Sequence, residues 1–120
     1  MTNAQVLEAV NMHVGNFVTT LSVYLTLTFA YLTVIYLVGE RLSKVQLVIV
    51  SCLYVVWAAV FSAGAITHLI SHDSLIATYP HVFTSFMWHL PWATLGTVIV
   101  LLGSLASLFF AYDVRKKGSI

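Results

Sequence analysis

Phe17-Val-Thr-Thr-Leu-Ser-Val-Tyr-Leu-Thr-Leu-Thr-Phe-Ala-Tyr-Leu-Thr-Val-Ile-Tyr-Leu-Val38 holds no charged side chain over about 22 positions. As an α-helix rising 1.5 Å per residue it reaches about 33 Å, enough to cross the roughly 30 Å hydrocarbon core of a bilayer. Two further runs follow the same rule. Residues 45–70 carry no charge and one imidazole, His68. Residues 91–112 open on Pro91, which suits a first helical turn because the missing N–H has no intrahelical partner there. Residues 71–85 are too short for a fourth crossing and contain Asp73 and Pro80. The expected fold is therefore an all-α integral membrane protein. It has one transmembrane domain, residues 1–120, with three transmembrane helices over residues 17–38, 45–70 and 91–112.

Two flanking segments allow alternatives. Residues 4–14 place Val6, Leu7, Val10 and Val14 near one face, away from Glu8 and Asn11. This stretch is either an interfacial amphipathic helix or an extension of the first span. Residues 79–90 form either a short interfacial helix or a loop, with Trp88 and Trp92 at the level of an aromatic belt.

Composition supports the same class. Of 120 residues, 60% are hydrophobic and only 8% charged, against roughly 25% charged in soluble domains. A water-soluble domain this small leaves about a third of its extended-chain surface exposed, which so few charges cannot cover. A net charge of +1 offers no basic face to phosphates, so nucleic acid is excluded as a partner. Cys52 has no second cysteine to pair with and is expected to pack as a small hydrophobe. The N-terminus lacks the basic region of a signal peptide, and neither end carries a lipidation motif, so no cleavage or anchor is expected.

Every Arg and Lys lies in one of two places: Arg41 and Lys44 in the first connection, and Arg115, Lys116 and Lys117 after the third span. Three spans put both places on one side. The positive-inside rule makes that side cytoplasmic and turns the N-terminus and the second connection outward. A bacterial inner membrane is the expected location.

Without a hydrophobic drive between helices in lipid, small and hydroxylated residues at contact spacing mark packing faces. In the first span Thr19, Ser22, Thr26, Phe29, Thr33 and Tyr36 repeat at intervals of three and four. The second offers Ala58 and Ser62, with Ala59 and Ala63. The third offers Ala93, Gly96, Val100, Gly103 and Ser107. These faces are expected to pack the three helices together. Tyr24, Tyr31, Trp57 and Phe61 then supply large side chains to surplus faces, suited to self-association or to other membrane subunits.

All five histidines, His13, His68, His72, His81 and His89, fall on the expected outer side. His68 and His72 stand four apart on one helix face, the geometry of paired metal ligands, and His89 opens the third span. Met12-His13 and Met87-Trp88-His89 set thioethers beside imidazoles, a combination suited to copper. The candidate metal ligands are Met12, His13, His68, His72, Met87 and His89. Haem b could hang between His68 or His72 and His89. The competing reading is a set of interfacial histidines bonded at headgroup level.

There is no phosphate loop, no Gly-x-Ser-x-Gly elbow, no His-Glu-x-x-His and no carboxylate inside a span, so no enzyme is expected. The expected function is association within the membrane, as a homo-oligomer or an accessory subunit of a larger complex. The alternatives are an outward histidine site for copper, zinc or haem, and a homo-oligomeric pore lined by Thr19, Ser22, Thr26 and Thr33.

Overall fold

In a computed structural model, which describes residues 1–118, the chain folds into three long helices: α1 (Asn3–Val38), α2 (Lys44–Thr78) and α3 (Trp92–Gly118). No strand occurs among the described residues. Each helix is long and apolar enough to cross a membrane. Single 3₁₀ turns lie in the two connections, at Gly39–Arg41 and Phe86–His89.

Local chemistry sets the ends. Thr2 and Gln5 form a capping box, Thr2 Oγ1 accepting from the Gln5 amide at 3.2 Å and Gln5 Oε1 accepting from the Thr2 amide at 2.9 Å. Ser43 and Gln46 repeat it at 3.1 and 2.9 Å, so four orphan amides are satisfied by two sequence-local pairs. At the other end of α2, Pro80 disfavours helical geometry in the residue before it, and Tyr79 leaves the helix at φ −124°, ψ 58°.

The helices are longer than the apolar runs. Residues 4–14 continue α1 and form no separate interfacial helix, because Val6 and Val10 bury themselves against α2 and the second connection. α2 runs past Ile70 to Thr78, since no Gly or Pro lies between Ile70 and Pro80. α3 begins just after Pro91 and continues past Tyr112, where Asp113 and Lys117 pair at 2.8 Å one turn apart. Before α3, residues 79–90 form a loop with a hydrogen-bonded turn at residues 80–82 and the 3₁₀ turn Phe86–His89.

Cross-helix pairs give the topology. His13 meets His68, Thr28 meets Tyr54 and Tyr31 meets Ser51, so α1 and α2 are antiparallel. Tyr24 meets Ser104 and Gly39 lies against Val114, so α3 runs parallel to α1. The bundle measures 62 × 20 × 17 Å. Arg115 donates to the Leu42 carbonyl and ties the end of α3 to the first connection.

Two separate cores hold it. The larger contains Tyr24, Tyr31, Ile35, Tyr54, Ala58, Val100 and Ala111. Tyr31 and Tyr54 stack at 4.2 Å between ring centres. Their hydroxyls and that of Tyr24 reach Ser51, Thr28 and Ser104 at 2.9, 3.0 and 2.8 Å. The smaller core lies toward the second connection and joins Val6, Val10, Ile76 and Phe83.

The two tyrosines expected on surplus faces thus form the central seam. Between helices the ring of each tyrosine packs and its hydroxyl finds a partner on the neighbouring helix, which favours this placement. Cys52 is exposed on α2.

Candidate functional site

The second connection closes one end of the bundle, and its geometry is set by Asp73 on α2. Pro91 leaves the start of α3 without a side-chain cap of its own. Asp73 supplies one from across the bundle, its Oδ2 accepting from the Ala93 amide at 2.9 Å. Its other oxygen, Oδ1, lies 3.0 Å from His72 Nδ1. A carboxylate only accepts, so Nδ1 donates, and in the neutral imidazole Nε2 then carries the lone pair. The His72 side chain is only 6% exposed, and among the described residues no hydrogen bond forms at Nε2.

His72 lines a cavity of about 330 Å³. Val14 and Phe17 from α1, Leu69 from α2, Met87 and Trp88 from the loop, and Trp92 at the start of α3 complete its wall. Trp88 lies over His72 with ring centres 6.0 Å apart, and is held in turn by Phe83 at 5.1 Å. Trp92 donates its indole N–H to the Met87 carbonyl at 2.9 Å, fixing the loop against α3. The surroundings are apolar and aromatic, with the His72 imidazole as their one titratable group.

His13 and His68 form a second feature beside it. Their Nδ1 atoms are 3.4 Å apart and their rings 5.7 Å apart. His68 and His72 do share one side of α2, but their partners differ. His89 is directed elsewhere, its Nε2 donating to the Phe83 carbonyl at 2.7 Å. His81 is exposed beside Tyr79, and Met12 is exposed on α1. The candidate ligands His68, His72 and His89 are therefore not brought together. Among the described residues no group of three or more His, Cys, Asp or Glu side chains is placed to hold a metal ion.

The packing candidates divide. Ala58, Ser62 and Ser107 are buried between helices. Gly96 permits close contact, since a Cβ there would stand 2.7 Å from Leu69 Cδ1, and one at Gly103 would stand 3.5 Å from the Tyr24 hydroxyl. Thr19, Ser22, Thr26 and Thr33 are exposed, facing away from α2 and α3. Each bonds a carbonyl of its own helix one turn earlier, at 3.0, 2.8, 2.9 and 2.8 Å. Phe29 and Tyr36, on the same stripe, are 66% and 73% exposed.

Asp73, Phe17, Trp88 and Trp92 were not among the candidate site residues. The adjacency of His72 and Asp73 was a readable signal for the dyad. The capping of Ala93 was not, because no local pattern relates residues twenty apart across a loop. Comparison with known protein families, with curated proteins and with solved structures finds no match.

Proposed function

We propose that this chain is a three-span membrane protein that acts by association, as a homo-oligomer or as an accessory subunit of a larger membrane complex. The observation that carries the reading is the outward stripe of α1, in which Thr19, Ser22, Thr26, Phe29, Thr33 and Tyr36 repeat at intervals of three and four and all lie exposed. That spacing is the seam of left-handed helix pairs. The chain's own bundle uses a different seam of α1, through Tyr24, Tyr31 and Ile35, so the outer stripe is free for another helix. A shallow groove of about 390 Å³ between α2 and α3, floored by Ala58, Ala59, Ser62 and Ala63, offers a second close-approach surface.

In this reading the basic end, with Arg41, Lys44 and Arg115 to Lys117, faces the cytoplasm. The histidine end faces outward. Ser85→Cys and Ser43→Cys, each in a Cys52→Ala background, test it: an impermeant thiol reagent added to whole cells labels the first and spares the second. The reverse pattern overturns the orientation. For association, native mass spectrometry from mild detergent is expected to find an oligomer or a stoichiometric membrane partner, lost in Ser22→Leu/Thr26→Leu. A monomer with no partner overturns it.

A second reading, metal binding, is favoured by one distance. The 3.4 Å between His13 Nδ1 and His68 Nδ1 is about the edge of a tetrahedron with zinc–nitrogen bonds of roughly 2.0–2.1 Å. Zinc or copper titration is expected to load the protein and His13→Ala to abolish loading. An unloaded wild-type protein removes this reading.

A further inference from the structure

We propose that the cavity under Trp88 binds the ring of a lipid-soluble phenol or hydroquinone, whose hydroxyl donates a hydrogen bond to His72 Nε2. Four observations converge on this class of ligand. The cavity, at about 330 Å³, lies at the small end of ligand pockets, which run from roughly 300 to 1,000 Å³. It accepts one ring and a short stem. Its walls are flat and apolar: Phe17, Trp88 and Trp92 suit an aromatic ring by stacking or edge contact, and Met87 adds a polarizable thioether.

The single polar anchor is directional. Asp73 holds His72 through Nδ1 and is itself held by the Ala93 amide, so the ring is fixed at both ends of the carboxylate. Nε2 makes no hydrogen bond among the described residues, and in the neutral imidazole it carries the lone pair. No buried side-chain nitrogen or oxygen among the described residues lacks a partner, so this unbonded Nε2 keeps some access, and a ligand hydroxyl can reach it. A neutral carbonyl compound lacks the donor, and a carboxylic acid would bring a charge into an apolar site beside Asp73. An aromatic hydroxyl supplies one donor and no charge.

Access fits an apolar tail. Phe17 and Trp92 begin the apolar stretches of α1 and α3, so the cavity sits at one end of the membrane-crossing segments. Val14 and Met87 on its rim are 39% and 55% exposed. The ring would therefore enter from the bilayer edge with its tail remaining among lipid. This last point rests on the membrane placement proposed above. The ring-binding claim does not, and it can be tested in detergent with tailless probes.

The experiment is a titration of the purified full-length protein with 2,3,5-trimethylhydroquinone, 2,3,5-trimethylphenol and the dimethyl ether of the hydroquinone. Binding is followed by tryptophan fluorescence and by ¹⁵N resonances of the histidine rings. The hydroxylated probes are expected to bind saturably and to shift His72 Nε2 while leaving His81 unmoved. The ether, which cannot donate, is expected to bind roughly tenfold more weakly. His72→Leu should bring hydroxylated probes down to the affinity of the ether and leave the ether unaffected.

Phenol and hydroquinone binding alike identifies a single-hydroxyl site, and preference for the hydroquinone identifies the two-hydroxyl ligand. Equal affinity for ether and hydroquinone in the wild-type protein overturns the proposal, whatever the fold of the variant. So does the absence of saturable binding, or stoichiometric zinc or copper at His72 that His72→Leu removes and His13→Ala does not. Each of these leaves the association reading intact, because the α1 stripe lies outside the cavity.

Discussion

The two cores of this bundle are built on different chemistry. The long one, through Tyr24, Tyr31 and Tyr54, is an aromatic seam in which all three phenols find hydroxyl partners on neighbouring helices. The short one, Val6, Val10, Ile76 and Phe83, contains no polar side chain. With the bundle in a bilayer, as proposed, the difference follows from the solvent. Lipid tails are as apolar as leucine, so at membrane depth helices gain little from burying aliphatic surface and select one another by packing and hydrogen bonds. The bundle is 62 Å long, roughly twice the hydrocarbon thickness. Its short core lies beyond the apolar runs, where water again makes aliphatic burial favourable, at about 25 cal/mol per Å².

The largest effect should come from the water-side core. Phe83→Ala is expected to cost about 3–5 kcal/mol of local stability and to release amide protection over residues 3–14. Unchanged hydrogen exchange there would break the comparison, showing that the N-terminal part of α1 stands without this cluster. Asp73→Ala comes next, at about 2 kcal/mol, from loss of the α3 cap together with the His72 contact. Exchange at Ala93 reports it.

At membrane depth the effects should be smaller. Tyr31→Phe deletes one interhelical hydrogen bond and keeps the ring stack, and should cost about 0.6 kcal/mol in denaturant unfolding from mixed micelles. A loss above about 3 kcal/mol would place this seam in a setting unlike lipid. Thr26→Leu, on the outer stripe, should leave monomer unfolding within about 0.5 kcal/mol. Its effect belongs to association, read by cross-linking between copies or with a partner.

The stripe expectation shows where sequence reading stops. Thr19, Ser22, Thr26 and Thr33 share the spacing of a packing seam, and so do Tyr24, Thr28, Tyr31 and Ile35. Periodicity alone does not choose between them. The threonine and serine hydroxyls can satisfy themselves on their own helix, as they do here, whereas a tyrosine hydroxyl stands too far from its backbone to do so. That asymmetry was readable from residue chemistry and outranks spacing. The site was partly readable in the same way: His68 and His72 share a helix side as their four-residue spacing requires, and Trp88 and Trp92 lie at the expected end. The departure of His89 toward the Phe83 carbonyl depends on the path of a loop, which no periodic pattern encodes.

The number of helices, their approximate extents and their apolar character follow from the sequence, because hydropathy and helical period act within a single segment. So do the starts of α1 and α2, where Thr2 with Gln5 and Ser43 with Gln46 close their boxes over three residues. The joining of Asp73 to Ala93 and the enclosure of His72 beneath Trp88 were decided only in the tertiary structure. Those contacts are made between residues far apart in the chain, and their partners become available only once three helices and a loop have taken up one mutual arrangement.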